Sequence, residues 1–212
     1  MKKPAGRGTT AAAGAGSNQL RIIAGRWRSR RIRFVDAAGL RPTPDRVRET
    51  LFNWLQFNVA GAHCLDAFAG SGALSFEALS RGAASAVLIE RHPAQADCLR
   101  REAGSLQAEN CHILNGEAQT LLARGLGERQ PAGGFDLVFL DPPFNQGLVA
   151  PLCRLLESGG LLAPGARVYI ETEQDWQALQ LPAAFALYRE TKAGVVHSYL
   201  TRYEPAVPDS KA

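Results

Sequence analysis

The hydrophobic positions of the chain follow two alternating spacings from residue 43 onwards. Short and almost continuous apolar runs predict buried strands at "HCLDAF", "SAVLIE", "CHIL", "FDLVFLD" and "ARVYIE". Between them lie segments with apolar residues at helical spacing, such as "ALSFEALSRG" and "QGLVAPLCRLLESGG". Strands and helices that alternate through short connections are typical of parallel βαβ units. The pattern therefore predicts an α/β fold with a mainly parallel, doubly wound sheet.

The pattern changes at both ends of the chain. "LRIIAG" and "RIRFV" flank the basic stretch "RWRSR", which predicts a small N-terminal β-hairpin. "AFALYRETK" and "VVHSYLTRYE" flank Ala193-Gly194, which predicts a terminal antiparallel hairpin. Residues 1–19 are rich in Gly, Ala, Ser and Thr without apolar periodicity. We expect a disordered basic tail over 1–19, a hairpin extension over 20–41, the main domain over 42–205 and a flexible C-terminus over 206–212.

Charge is distributed unevenly along the chain. The formal net charge is +4, yet the first 50 residues hold twelve Lys or Arg against Asp36, Asp45 and Glu49. A basic front end on an otherwise acidic body indicates a polyanionic partner. Trp27 lies among these arginines, where it could stack on a base or anchor the hairpin on the domain; both interpretations stay open.

Several classes of protein are disfavoured by the composition. No apolar run approaches membrane-spanning length, and the N-terminus lacks the apolar core of a signal peptide. The four cysteines and four histidines are scattered, with no Cys-x-x-Cys spacing. We therefore expect reduced thiols in a cytoplasmic protein, with no membrane and no metal.

The stretch "LDAFAGSGALSFEAL" is the first motif with chemical meaning. Asp66 closes a predicted strand, and Gly70 and Gly72 form a tight turn before a helix. Such a turn brings backbone N–H groups and a helix N-terminus close to an anionic ligand group. A dinucleotide-binding turn is the alternative, but its third small position falls on Ser75.

Two acidic residues close the next strands. Glu90 in "VLIER" follows the glycine turn by about twenty residues, where an acid can bind both ribose hydroxyls. Glu117 in "LNGEA" follows the third strand of the domain, where it or the adjacent backbone could meet an adenine edge. A helix-capping role for Glu117 is the alternative.

The fourth motif, "FDLVFLDPPF", ends a buried strand on a carboxylate, two prolines and an aromatic ring. Pro142 and Pro143 cannot extend the strand, so Asp141 and Phe144 project from its end. Ligands bind at strand ends in open α/β sheets. A lone Asp-Pro-Pro can be only a turn, but its register with the glycine turn and Glu90 favours a ligand role.

These residues resemble the S-adenosylmethionine-dependent methyltransferases that modify exocyclic amines, in "AFAGSG" and "DPPF". A longer set of segments is similar to the RsmD family, which methylates guanine N2 in bacterial 16S ribosomal RNA. It comprises "RIIAGRWRSRRIRF", "GLRPTPDRVRETLFNWL", "LDAFAGSGALSFEALSRGA" and "DLVFLDPPF". The resemblance covers about residues 20–203. It implies a Rossmann-like class I methyltransferase fold.

The resemblance also implies roles for individual residues. S-adenosylmethionine would bind at Asp66, Phe68, Gly70, Ser71, Gly72, Glu90, Glu117 and Ala118. The reacting amine would be held by Asp141, Pro142 and Phe144. RNA would be contacted by Arg26, Arg28, Arg30, Arg31, Arg46 and Arg48. The implied partner is 16S rRNA or the assembling small subunit, and we expect a monomer.

Three rival functions remain at this point. An adenine-N6 methyltransferase on DNA or RNA could use the same Asp-Pro-Pro-Phe motif, and only the RsmD-like front end favours guanine. A non-catalytic rRNA-binding assembly factor is disfavoured by the full set of cofactor and amine residues. An NAD-dependent oxidoreductase is disfavoured by Ser75.

Overall fold

The computed structural model describes residues 18–35 and 43–206. Residues 1–17 of the tail predicted over 1–19, the stretch 36–42 and residues 207–212 lie outside the described residues. The prediction was wrong for Asn18 and Gln19, which belong to the first strand. The proposed division of the chain into a hairpin extension and a main domain stays a prediction.

Nine strands and six α-helices follow one another along these ranges. The strands are β1 (Asn18–Arg21), β2 (Arg31–Phe34), β3 (His63–Asp66), β4 (Ser85–Glu90), β5 (Cys111–Asn115), β6 (Phe135–Leu140), β7 (Leu162–Thr172), β8 (Phe185–Ala193) and β9 (Val196–Tyr203). The helices are α1 (Asp45–Trp54), α2 (Ala73–Ser80), α3 (Pro93–Leu106), α4 (Ala118–Arg124), α5 (Val149–Ser158) and α6 (Trp176–Leu179), with a 3₁₀ turn at Gly127–Arg129.

The main sheet has seven strands in the order β5-β4-β3-β6-β7-β9-β8. β3 pairs in parallel with both β4 and β6, and β7 pairs in parallel with β6. The strand order therefore reverses between β3 and β6. β9 inserts antiparallel between β7 and β8, which confirms the predicted terminal hairpin. The predicted doubly wound, mainly parallel sheet is confirmed.

Alternation along the strands divides the core into two layers, one on each face of the sheet. We call the face that carries Cys64, Phe139 and Tyr169 the hairpin-side face, because its core cluster includes residues of α1, α2, α3 and the N-terminal hairpin. Leu65 and Leu140 point to the opposite face, where the cluster includes residues of α4, α5 and α6. The hairpin thus shares a core with the sheet.

Candidate active site

Three carboxylates lie at the carboxyl ends of neighbouring strands, on both sides of the point where the strand order reverses. Asp66 is the last residue of β3, Glu90 is the last residue of β4, and Asp141 directly follows β6. Open α/β sheets bind ligands at this position. The structure therefore brings together the acids of the first, second and fourth motifs.

The glycine turn between β3 and α2 has a backbone that only glycine adopts without strain. Gly70 and Gly72 have φ angles of 50° and 76°. A Cβ on Gly72 would lie 2.6 Å from a ring carbon of Phe76 and 2.7 Å from a methyl carbon of Leu99. Gly72 is also the N-cap residue of α2, directly before its first residue. The turn is therefore held tightly against the helix that follows it.

Asp66 is buried beneath this turn. Its Oδ2 accepts a hydrogen bond of 2.8 Å from the Ser75 hydroxyl, and its Oδ1 accepts one of 3.3 Å from the Phe68 N–H. Burial raises the pKa of Asp66 to about 7, and the two hydrogen bonds oppose that rise. Ser75, which counted against a dinucleotide turn in the sequence, is the residue that holds the Asp66 carboxylate.

Glu90 connects the ends of three strands. Its carboxylate accepts hydrogen bonds from the N–H groups of Gly70, at 3.0 Å, and His92, at 2.7 Å. Its backbone carbonyl accepts from the Gly116 N–H, at 3.0 Å, and from the Asn115 side-chain amide, at 2.7 Å. Sequence reasoning missed Asn115, because its partner lies 25 residues away.

The segment after β5 presents one exposed and one buried residue. Glu117 is exposed and stands at the start of α4 without a side-chain capping hydrogen bond. The capping interpretation of Glu117 is therefore wrong. Ala118 is buried behind it.

The Asp-Pro-Pro-Phe segment leaves the sheet as predicted. Pro142 is buried, whereas the Phe144 ring is 40% exposed. The N–H of Asn145, which follows it, donates a hydrogen bond of 3.1 Å to Glu173. Burial, followed by the charges of Glu171 and Asp66, raises the pKa of Asp141 well above its ordinary value.

The charges of this site are uncompensated within residues 18–35 and 43–206. No side-chain nitrogen of a Lys, Arg or His in these ranges lies within 4.0 Å of the carboxylates of Asp66, Glu90 or Asp141. Buried carboxylates favour cationic or hydrogen-bond-donating partners. These three carboxylates therefore suit a ligand that carries a positive charge and hydroxyl groups.

The N-terminal hairpin is docked on α2, the helix that begins at the glycine turn. Glu77, fully buried, accepts hydrogen bonds from the N–H groups of Ile23, at 2.7 Å, and Ala24, at 3.0 Å. The Ser80 hydroxyl accepts from the Trp27 N–H at 2.9 Å. Trp27 is buried in the shared core, so its anchoring role is confirmed.

A second connection joins the hairpin to the glycine turn itself. The buried Gln95 side chain accepts a hydrogen bond of 2.8 Å from the Val35 N–H and donates one of 2.5 Å to the Gly70 carbonyl. Sequence reasoning missed Gln95 as well, because neither partner is near it in the chain. The glycine turn and the basic hairpin are therefore parts of one packed unit.

The arginines predicted to contact RNA fall into different environments. Arg28, Arg31 and Arg46 are exposed. Arg26 is exposed and its guanidinium stacks on the Trp27 ring at 4.1 Å. Arg30 donates a hydrogen bond of 2.8 Å to the Ser105 carbonyl on α3.

Arg48 requires a correction. It is 1% exposed, and its guanidinium contacts Asp45 at 2.6 Å, the Arg21 carbonyl at 2.9 Å and Glu77 at 3.6 Å. Its charge is used inside the protein to hold α1 and the hairpin against α2, so we remove it from the RNA surface. Arg33, which the sequence reasoning passed over, lies on the exposed side of β2.

Two further findings concern metal sites and membrane-spanning segments, neither of which was expected from the sequence. Within the described ranges, no group of three or more His, Cys, Asp or Glu side chains is arranged to bind a metal ion. None of the helices described above is long and apolar enough to cross a membrane.

Comparison with known proteins places this site in a family. Residues 20–202 match the family model described as Conserved hypothetical protein 95. The chain is 47% identical over 182 residues to Ribosomal RNA small subunit methyltransferase D of Escherichia coli strain K12, covering 86% of this chain and 89% of that protein. It is 41% identical over 180 residues to the protein of the same name from Haemophilus influenzae, covering 84% and 91% of the two chains.

A solved structure gives the same result for the fold. The structure of the Escherichia coli protein yhhF superimposes with a TM-score of 0.80 at 45% sequence identity. The match covers 88% of this chain and 99% of the other.

Proposed function

We propose, since the chain belongs to the family described as Conserved hypothetical protein 95, that it is an S-adenosylmethionine-dependent methyltransferase of small-subunit ribosomal RNA. This membership confirms the resemblance to the RsmD family. The finer proposal is that the methyl acceptor is the exocyclic N2 amine of one guanine in 16S rRNA. The observation that carries it is the RsmD-like front end, docked as a basic hairpin on α2 and α3. Asp141 with the aromatic ring beside it would hold an exocyclic amine of guanine or of adenine equally well.

The site residues fit the cofactor. S-adenosylmethionine, when bound, supplies an electrophilic methyl group. We assign its amino-acid portion to Asp66 and the turn from Gly70 to Gly72, its ribose to Glu90 and its adenine to the segment around Glu117. The fit rests on a turn that a Cβ would fill and on buried acids without a cationic partner in the described part of the chain. Phe68, Ser71 and Ala118 complete the proposed pocket.

The proposed amine clamp addresses the low nucleophilicity of a guanine amine, whose lone pair is delocalised into the ring. Two N–H groups that donate to the Asp141 carboxylate and the Pro142 carbonyl would direct the lone pair away from the ring plane. The carboxylate would also stabilise the positive charge that grows on nitrogen. Phe144 would stack on the base, and such stacking contributes about 1–3 kcal/mol.

The choice of RNA over a small substrate rests on the basic hairpin. Arg26, Arg28, Arg31 and Arg33 are exposed on an element that is rigidly docked beside the cofactor turn. Phosphate contacts there would supply affinity and register. We propose that the enzyme acts as a monomer in the cytoplasm, on the assembling small subunit or its 16S rRNA.

The test is transfer of labelled methyl from S-adenosylmethionine to small subunits, naked 16S rRNA and DNA that lack the modification, followed by mass spectrometry of the nucleosides. We expect N2-methylguanosine at one rRNA position. N6-methyladenine would replace the guanine proposal with the adenine alternative. Absence of cofactor binding would argue for a non-catalytic assembly factor, whereas cofactor binding without transfer would mean that the substrate is another RNA or needs a further partner.

One substitution separates chemistry from binding at this site. We expect Asp141→Ala to slow methyl transfer by about 10²–10³-fold or more, because it removes the group that orients and stabilises the amine. S-adenosylhomocysteine affinity, measured by calorimetry, should stay nearly unchanged. Asp97→Ala, at an exposed ion pair on α3, is the matched control. Retained turnover in Asp141→Ala would remove Asp141 from the central role.

A further inference from the structure

Glu171 is a buried acid at the active site for which the proposed mechanism has no role. Parallel pairing aligns Leu140 of β6 with Ile170 of β7. The next pair is therefore Asp141 beside Glu171, on strands about 4.8 Å apart. Leu140 and Ile170, which precede them, point to the opposite face. Because side chains alternate along a strand, Asp141 and Glu171 point to the hairpin-side face.

Asp66 lies on the same face, at the level of the residues two positions before Asp141 and Glu171. Its strand neighbour Leu65 points to the opposite face, and Asp66 is aligned with Phe139 of β6. The ends of β3, β6 and β7 thus carry three acids on one face of the sheet. In the described ranges no side-chain nitrogen of a Lys, Arg or His lies within 4.0 Å of the Glu171 carboxylate either.

Glu171 does have one specific partner. The hydroxyl of Tyr169, which is fully buried on the same strand, donates a hydrogen bond of 2.7 Å to Glu171 Oε1. On the other side, β9 aligns Ser198 with Glu171 and carries no ionisable group at that position. His197, the next residue of β9, pairs with Asp175 at 3.4 Å and contacts Tyr199, a residue of the opposite face. Within residues 18–35 and 43–206, the titratable groups that face Glu171 are therefore Asp141 on the neighbouring strand and Tyr169, with Asp66 one strand further away beside Asp141.

We propose that Asp141 and Glu171 act as one base: the two carboxyl groups share a proton, and the pair takes up the proton released when the amine is methylated. This inference rests on the proposed function and assigns a residue to its last step. The amine nitrogen forms a bond to the methyl carbon and becomes positively charged. One N–H bond then breaks, its electron pair stays on nitrogen, and the proton passes to Asp141 and within the pair to Glu171.

The physical reason for a pair is that Asp141 beside a neutral residue would remain protonated, and a protonated carboxyl cannot take up the proton of the amine. Burial, and after it the charge of Asp66, would keep the pKa of Asp141 raised even with a neutral residue at position 171. Burial also raises the pKa of Glu171, but the Tyr169 hydroxyl opposes that rise by stabilising the ionised form. When two adjacent carboxyl groups are both protonated, either of them can release the first proton. The pair therefore loses its first proton at a lower pH than a single carboxyl group beside a residue that cannot ionise. Glu171 therefore keeps one negative charge in the pair at a pH where Asp141 alone would be neutral.

The test is the pH dependence of single-turnover methyl transfer to unmodified small subunits. The acid limb is the part of the rate profile where transfer slows as the pH falls. We expect Glu171→Gln to move this limb to higher pH by about one unit, so that transfer at a pH on the limb is about tenfold slower. Tyr169→Phe should move it in the same direction by less, because Glu171 remains but is harder to ionise. Glu157→Gln, on α5 under the opposite face of the sheet, is the matched control and should leave the limb in place.

A second readout does not require turnover. Carbon-13 NMR of the ligand-free protein should show the Asp141 and Glu171 carboxyls titrating in two coupled steps, and Asp141 in a single step in Glu171→Gln. The proposal would be overturned if the active unsubstituted and Glu171→Gln enzymes had the same acid limb. It would also be overturned if the Asp141 and Glu171 carboxyl groups titrated independently of each other. If the unsubstituted enzyme transfers no methyl group while the carboxyls titrate as a pair, the proposed function itself is wrong. Thermal stability and S-adenosylhomocysteine affinity of each variant separate misfolding from a change in chemistry.

Discussion

Single residues in this site derive their properties from burial. The pKa of Asp66 rises from 3.8 to about 7 because its carboxylate lies under the glycine turn. The folded state therefore binds a proton more tightly than the unfolded chain. The stability that this proton contributes is complete below about pH 4 and is lost as the pH rises through about 7.

The same shift predicts pH-dependent cofactor binding. The ammonium group of S-adenosylhomocysteine favours ionised Asp66, so its affinity should increase by up to about tenfold per pH unit towards pH 7 and then level off. Calorimetry between about pH 5.5 and 8.5 measures this. Asp66→Asn should flatten the curve. Ser75→Ala should move its midpoint to higher pH, because it removes a hydrogen bond that lowers the Asp66 pKa. A flat curve for the unsubstituted protein would separate Asp66 from the ammonium group.

The residues that were predictable from the sequence share one property. Asp66, Glu90 and Asp141 each close an apolar run, and strand ends in a parallel sheet meet at one edge whatever the details of packing. Asn115 and Glu171 were not predictable, because their roles come from partners on other strands. No local pattern distinguishes such a residue from a solvated polar side chain.

At the scale of elements, the main lesson comes from the basic front end. Its alternating pattern predicted a hairpin, and β1 and β2 pair in register from Asn18 with Phe34 to Arg21 with Arg31. The sequence could not show that the hairpin docks on α2 and α3, because the buried groups that hold it there, Glu77 and Gln95, lie more than 50 residues away. Arg48 was misassigned because Arg21 and Glu77, two of the groups that bind its guanidinium inside the protein, lie on other elements of the fold.

This docking predicts an unusual sensitivity at one glycine. Gly25 and Gly61 have similar φ angles, 82° and 78°, but a Cβ on Gly25 would lie 1.9 Å from the Ser80 carbonyl oxygen, whereas Gly61 faces open space. Gly61→Ala should cost only the left-handed backbone strain, about 1–2 kcal/mol. Gly25→Ala should cost a further 1–3 kcal/mol or so, because the hairpin must move away from α2. Urea denaturation measures both values.

The two glycine variants also test whether docking matters for the substrate. Gly25→Ala should weaken binding to small subunits, whereas S-adenosylhomocysteine affinity should change little. Gly61→Ala should leave both unchanged. Equal stability losses in the two variants would mean that the hairpin is not held against α2 in solution.

At the scale of the whole molecule, charge and chemistry are separated but rigidly connected. The arginines face outward on the hairpin, and the acids lie at the strand ends beneath the glycine turn. α2 begins at that turn and carries Glu77 and Ser80, which hold the hairpin. A phosphate backbone bound by the hairpin would therefore be fixed relative to the methyl donor. Such an arrangement positions a target base without reading its sequence.

This arrangement makes the salt dependence of binding diagnostic. Replacing Arg28, Arg31 and Arg33 together by glutamine should weaken binding to small subunits and lower the slope of log affinity against log salt by about 0.7–0.9 for each phosphate that is no longer neutralised. Filter binding or fluorescence anisotropy at several salt concentrations measures the slope. Arg124→Gln with Arg129→Gln, near the end of α4 and in the 3₁₀ turn, removes positive charge away from the hairpin and is the control. If both sets of variants change the slope equally, the protein attracts RNA through its overall charge. If only the hairpin variants change the slope, the hairpin is the element that binds the phosphate backbone. S-adenosylhomocysteine affinity should be unchanged in both sets of variants.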